Sequence, residues 1–142
     1  KPQLDCFKKE NKMTGPVIKL NGYRIEEISY KMITEEPEIG LSTKPDIEVT
    51  CGLTDDEKHG IVKISVKVYQ EEQNRELYTR ISGIFDINEE LTDSSLIKEH
   101  LAINGTAIIY PYLRSIVSMI STLDSPEAIV LPTVNVNELM QK

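Results

Sequence analysis

The stretch Ala107–Ile120, AIIYPYLRSIVSMI, holds more apolar side chains than a small sheet covers from one side. At about 100° per residue, a helix here spreads its large apolar side chains over an arc of roughly 200°. A helix that lies on one sheet needs an apolar stripe only a little over about 100° wide. The rest of the arc therefore predicts contact with another subunit, another layer of the same chain, or a client polypeptide.

The chain before this helix predicts an antiparallel sheet. Four runs alternate apolar and polar side chains, and they are Tyr23–Ile33, Asp46–Leu53, Ile61–Gln70 and Leu77–Ile87. Half-polar alternation is typical of antiparallel strands that are covered on one side only. The polar stretch Thr34–Pro45 is a long surface connection between the first two strands. Strands first and helix last predict an α+β domain, with the helix packed on one face of a four-stranded sheet.

Capping and breaking residues predict the ends of the helices. Thr92–Ile103 reads as a short helix, because its Thr/Asp/Ser cluster can accept hydrogen bonds from the first free N–H groups. Asn104-Gly105 is expected to interrupt it, and the apolar helix is expected to resume at Thr106. Asp124-Ser125-Pro126 then ends the helix, and Val134–Met140 forms a brief terminal turn.

Length and composition indicate one domain. The chain has 142 residues, of which 39% are hydrophobic and 27% charged, as in ordinary globular proteins. Residues 1–15 are interpreted as a flexible leader and residues 16–142 as the single domain. A net charge of -7 disfavours nucleic acid and suits a basic protein partner. Two cysteines form no disulfide framework, and neither a secretory signal nor a bilayer-length apolar run is visible. We therefore expect a cytoplasmic protein.

The sequence carries no motif for catalysis. His59 and His100 lie in separate elements without the ligand spacing of a metal site. No glycine-rich phosphate loop and no GxSxG elbow is present. The prediction is a non-enzymatic protein with no cofactor, no metal and no catalytic residue.

The surfaces that remain suit polypeptide binding. Sheet edges offer unpaired backbone groups, and apolar grooves accept side chains without requiring one sequence. The long connection contributes two isolated apolar residues, Ile39 and Leu41. Oligomerisation would bury the same surplus apolar surface, so a polypeptide-holding chaperone and a plain homo-oligomer both stay open on this evidence.

The run NGTAIIYPYLRSIVSMISTLDSPEAIVLPTVNVNELM, Asn104–Met140, resembles the core signature of the bacterial protein-export chaperone SecB family. In that family, a helix with an aromatic-Pro-Tyr start and a Ser-Met centre precedes an extended Leu-Pro or Ala-Pro segment. Tyr23–Lys31, Pro45–Val49 and Ser82–Ile87 are similar to the family's first, second and fourth strands.

The resemblance implies a dimer of dimers that holds precursor proteins unfolded and delivers them to the SecA motor. The resemblance implies that Ile39, Leu41 and Tyr112 contact the bound polypeptide. It implies an oligomer interface at Leu113, Ile116, Val117 and Ile120, and SecA docking at Glu27. Lys31 replaces a second acidic docking residue, and the family's second long helix is missing after Lys142. These departures affect delivery to SecA more than client binding.

Three functions follow as expectations. The first is a non-enzymatic chaperone that holds precursors for export in apolar grooves. The second is a SecB-like chaperone dedicated to one partner, such as an antitoxin of a toxin–antitoxin system. The third is a small-ligand-binding domain on the same scaffold. We also expect Leu113→Asp to dissociate the oligomer, because a buried unpaired carboxylate is costly.

Overall fold

The strands form one sheet, in the order β1-β4-β3-β2, and every neighbouring pair is antiparallel. The computed structural model describes residues 14–34 and 44–140, except for the side chains of Asn137 and Met140. Its elements are β1 Ile18–Met32, β2 Asp46–Leu53, β3 His59–Gln70, β4 Arg75–Ile87, α1 Ser94–His100, a π-helical turn Leu101–Gly105, α2 Thr106–Ser121 and α3 Val136–Met140. The predicted α+β fold with a helix on one face is confirmed.

The two central strands supply most of the core from one face of the sheet. Alternate residues of β3 and β4 point to the helix side and are buried; they include Val62, Ile64, Val66, Leu77, Ile81 and Phe85. The residues between them face the other side and are mostly polar, such as Lys63 and Arg80. This alternation is the sequence pattern from which the strands were predicted.

The helical part begins at a capped residue and continues without a break. The Asp93 carboxylate accepts a hydrogen bond from the Ser95 amide and caps α1. The interruption predicted at Asn104-Gly105 is wrong, because a π-helical turn joins α1 to α2. The reason is close packing: Gly105 is buried, and a Cβ there would lie 2.9 Å from Cγ2 of Val62.

The large helix α2 packs over β4 and β3 and also contacts β1. Ile109, Leu113 and Val117 have no exposed surface and fill the space between helix and sheet. After α2 the chain turns back along the helix, and Leu131 enters the core from this return segment. The short α3 then packs against β2 and the π-helical turn.

Two details differ from the sequence prediction. β1 begins at Ile18, five residues earlier than Tyr23–Ile33 indicated, because Ile18 and Leu20 pair with Ile87 and Phe85. Cys51 lies at an apolar position of the alternating run Asp46–Leu53, which predicts burial, but it is exposed on the edge strand β2.

Candidate functional site

The edge strand β1 presents a row of exposed apolar side chains on the helix side of the sheet. Tyr23, Ile25, Ile28 and Met32 pair with helix-side residues of β4, yet they are between 39% and 57% exposed. The row stays on one side because the pairing shifts between Ile25 and Glu27, which inserts one extra residue. Ile25 and Ile28 therefore share a face although they are three residues apart.

Helix α2 lies beside this row and contacts β1. Ile116 and Ile120 are partly buried and pack against the core. At about 100° per residue, they lie on the side of α2 between its buried face and Tyr112. We call the apolar surface that Tyr23, Ile25, Ile28 and Met32 of β1 form with Ile116 and Ile120 of α2 the trough.

The ends of the trough are marked by aromatic and charged contacts. At one end Tyr23 stacks on Tyr112, with ring centroids 4.5 Å apart. At the other end Arg75 pairs with Asp124 at 2.7 Å, and its guanidinium lies 5.7 Å from the centre of the Tyr30 ring. Burial, and then the Asp124 carboxylate, raise the pKa of Tyr30, so its hydroxyl stays protonated at neutral pH.

A second apolar surface continues from the trough onto the outside of α2. Ile108, Tyr112, Met119 and Leu123 are all exposed, and Met119 and Leu123 are 67% and 76% accessible. Their spacing of four, seven and four residues places them on one side of the helical path. We call these four residues the outer stripe; only Ser115 interrupts it. The surplus apolar surface predicted for this helix is therefore confirmed within the single chain.

The structure separates the residues that sequence analysis grouped as an oligomer interface. Leu113 and Val117 have no exposed surface in the chain by itself, so they belong to its own core and offer nothing to a second chain. Ile116 and Ile120 line the trough, and their interface role stays a prediction. Tyr112 lies where the trough meets the outer stripe. Ile39 and Leu41 lie outside the described residues.

Glu27 lies on the polar face of the sheet, opposite Arg80 of β4. Its neighbour Glu26 contacts both Lys63 and Arg80, at 3.2 and 3.5 Å. Carboxylates and cations thus alternate on this face, and a SecA-docking role for Glu27 stays a prediction.

Apart from Glu27, no residue of β1 was assigned a site role from the sequence, although the apolar residues of this strand form half of the trough. The available signal was the set of apolar positions at 23, 25, 28 and 32 of an edge strand. The bulge hid the pattern, because strict alternation fails between Ile25 and Ile28.

A polar cleft of about 390 Å³ lies at the opposite end of the sheet from the Arg75–Asp124 contact. Asp56, Glu57, Asn88 and Glu89 are among its lining residues. The Thr54 hydroxyl and the Lys58 amide donate to Asp56 and hold the pKa of its carboxyl below the usual value. Among residues 14–34 and 44–140, no group of three or more His, Cys, Asp or Glu side chains is placed to hold a metal ion.

In the described part of the chain, no helix combines the length and the apolar character needed to cross a bilayer.

Comparison with known proteins agrees with this architecture. The SecB-like chaperone Rv1957 of Mycobacterium tuberculosis, solved with a ChAD peptide from the HigA1 antitoxin, superposes with a TM-score of 0.63 at 14% identity, over 82% of this chain and 90% of that chain. A protein of unknown function from Streptococcus agalactiae gives a TM-score of 0.56 at 16% identity, over 82% and 97%. These likenesses show a shared fold.

Sequence comparison extends the relationship. The uncharacterized protein MJ0357 of Methanocaldococcus jannaschii is 26% identical over 130 residues, which cover 87% of this chain and 82% of that protein. The family model for preprotein translocase subunit SecB matches residues 11–142, nearly the whole chain. Together with the four-stranded sheet and the long helix beside it, this match shows that the chain belongs to the SecB family.

Proposed function

We propose that this protein is a non-enzymatic holding chaperone, which binds segments of non-native polypeptide on the outer stripe of α2. The observation that carries the proposal is the run of exposed Ile108, Tyr112, Met119 and Leu123 along one side of α2 and the turn that follows it. Membership of the SecB family supports the same function.

The binding chemistry needs no cofactor. Burying apolar area contributes about 25 cal/mol per Å², so a few client side chains on the stripe give weak and reversible binding. A flexible, polarizable thioether such as that of Met119 adapts to different side chains. Because this contact has no required hydrogen-bond pattern, the stripe accepts many sequences. The client is released by its own folding or by transfer, without nucleotide hydrolysis.

The trough is a separate surface, and we assign it to a second copy of the chain. Within the part of the chain that the structure describes, β1 is an edge strand, so its outer edge offers backbone groups for pairing beside the exposed Ile25 and Ile28. A two-fold axis located at the outer edge of β1 would bring the same surface of both copies together. In this arrangement Ile116 and Ile120 contact the partner copy, as the sequence analysis expected.

A second candidate is a chaperone dedicated to one partner, such as an antitoxin. It is favoured by the Mycobacterium tuberculosis neighbour, which is bound to a peptide from an antitoxin. Pull-down from the source cells would yield one dominant partner for a dedicated chaperone and a mixture of precursor proteins for a general one. The general chaperone would hold precursors for export in the cytoplasm and deliver them to SecA.

The test is suppression of aggregation of chemically denatured citrate synthase at stoichiometric amounts of chaperone. We expect the wild-type chain to suppress light scattering and Met119→Ser to lose much of this effect. The matched control is Leu96→Ser. Leu96 is an exposed apolar residue of α1, and this helix contacts β2 at the opposite edge of the sheet from the trough. Equal protection by both variants would exclude the outer stripe, and no protection by wild type at any ratio would exclude the chaperone function.

A further inference from the structure

Helix α2 holds one segment of its own chain through that segment's backbone. The Ser118 hydroxyl donates to the Ile129 carbonyl at 2.8 Å, and the Ile129 amide donates to Ser121 Oγ at 2.7 Å. Arg114 Nε donates to the Leu131 carbonyl at 3.2 Å, and the Tyr110 hydroxyl to the Pro132 carbonyl at 2.6 Å. We call Ile129–Pro132 the strap.

The strap is extended and runs antiparallel to α2. From Ser118 to Tyr110 the helix rises about 12 Å, whereas three residues span at most about 11 Å when fully extended. The strap must therefore be nearly straight, and the side chains of α2 reach across the rest of the distance. The helical side chains that hold it recur every three or four residues, so they form one polar row along α2. This row therefore recognises an extended polypeptide backbone.

The side chains of the strap contribute unequally. Leu131 is fully buried and Ile129 is partly buried against the core, whereas Val130 is 71% exposed and Pro132 is exposed. Recognition of the strap thus uses the peptide backbone, one fully buried aliphatic side chain and a second one that is partly buried, and it leaves the other two side chains free. Most non-native polypeptides contain segments that meet this requirement.

The row lies on a different side of α2 from the trough. At about 100° per residue, Arg114 and Ser118 are roughly 160° from Ile116 and Ile120. Among the described residues, no backbone–backbone hydrogen bond holds residues 129–132 to any other element. The strap is therefore attached by side chains of α2 and by its own Leu131 and Ile129, and not by pairing with the sheet.

We propose that this polar row of α2 is a second polypeptide-binding site, which the strap fills in the free protein and which an extended client segment with an aliphatic residue occupies when the strap leaves. The inference rests on the proposed chaperone function and extends it. When a segment of the same chain fills a site, the apparent affinity for a client equals the intrinsic affinity multiplied by the fraction of molecules in which the site is open. Weakening the strap therefore strengthens client binding.

The test measures binding of fluorescently labelled, reduced and carboxymethylated α-lactalbumin, a permanently unfolded polypeptide. Leu131→Ala removes the buried side chain of the strap and leaves the polar row of α2 intact. We expect the affinity to rise by about tenfold or more, the equilibrium factor of a buried leucine truncated to alanine. Hydrogen exchange of the Ile129 amide should accelerate by the same factor, because it reports strap opening. Val130→Ala is the matched control, since its side chain lies in the same strap but is exposed.

Ile129→Ala tests the other end of the strap, where a partly buried side chain is shortened and the side chains of the polar row stay in place. It keeps the proposal testable if Leu131→Ala fails to fold, and a smaller rise in affinity is expected. Faster exchange with unchanged or weaker α-lactalbumin binding would overturn the second site, and so would unchanged exchange and binding in both variants. A wild-type protein that binds no α-lactalbumin at all would instead overturn the chaperone function itself.

Discussion

Gly105 decides how closely the helical part approaches the sheet. A Cβ at this position would lie 2.9 Å from Cγ2 of Val62 and 3.5 Å from the Phe85 ring, and both residues are fully buried. Gly105→Ala gains up to about 1 kcal/mol in helix propensity but overpacks the core at about 1–3 kcal/mol. We expect a net loss of about 1 kcal/mol or more in the free energy of unfolding, measured by urea denaturation.

Gly22→Ala is the control for this substitution. Gly22 lies in β1, and a Cβ there meets no atom within 4 Å. Its effect on the free energy of unfolding should therefore be small. If Gly105→Ala proved as stable as wild type, the π-helical turn would have room to shift, and the packing explanation for the unbroken helix would be wrong.

At the scale of elements, hydrophobic periodicity was sufficient to predict the sheet and the helix that packs on one of its faces. It failed where packing overrode a local signal. Asn104-Gly105 has the composition of a helix break, but the glycine is used for close approach to Phe85 and Val62. Periodicity also failed to divide the wide apolar arc of α2, since Leu113 and Met119 are equally apolar in sequence. Only the position of α2 over β3 and β4 shows which side is buried.

The two sides of α2 predict opposite outcomes for the same kind of substitution. Leu113→Ala opens a cavity in the core and should cost about 2–5 kcal/mol of unfolding free energy. Met119→Ala, at an exposed position, should change it by less than about 0.5 kcal/mol. Both are measured by urea denaturation at one protein concentration. Leu113→Asp should consequently unfold the chain itself, rather than separate folded subunits.

Equal stability of these two alanine variants would contradict the assignment of Leu113 to the core. A large loss for Met119→Ala that disappears on dilution would indicate that Met119 is covered by another copy of the chain, because the stability of an oligomer depends on protein concentration.

At the scale of the whole molecule, the chain separates its apolar and charged surfaces. The face of the sheet away from α2 carries neighbouring opposite charges, with Glu26 between Lys63 and Arg80 and Glu76 beside Lys67. Exposed ion pairs of this kind contribute little to stability, but they make this face mainly polar, and Ile84 is its one large exposed apolar side chain among the described residues. Association through apolar contact is therefore directed to the trough and the outer stripe. Ile39 and Leu41, which the family resemblance added to this surface, fall outside the described residues.

The trough predicts how the molecule associates. Ile28→Glu places a carboxylate among the apolar side chains that we assign to contact with a second copy, and an unpaired charge buried in such a contact costs several kcal/mol. Because Ile28 is exposed in the single chain, the fold should persist. We expect the native mass, measured by light scattering, to fall to that of one chain, with an unchanged circular dichroism spectrum.

Arg24→Glu, on the opposite face of the same strand, should keep the wild-type mass. The contrary outcome is an Ile28→Glu protein that is folded and has the wild-type mass but no longer protects citrate synthase. Because assembly would then be intact, the lost protection would show that the trough holds clients instead of a second copy.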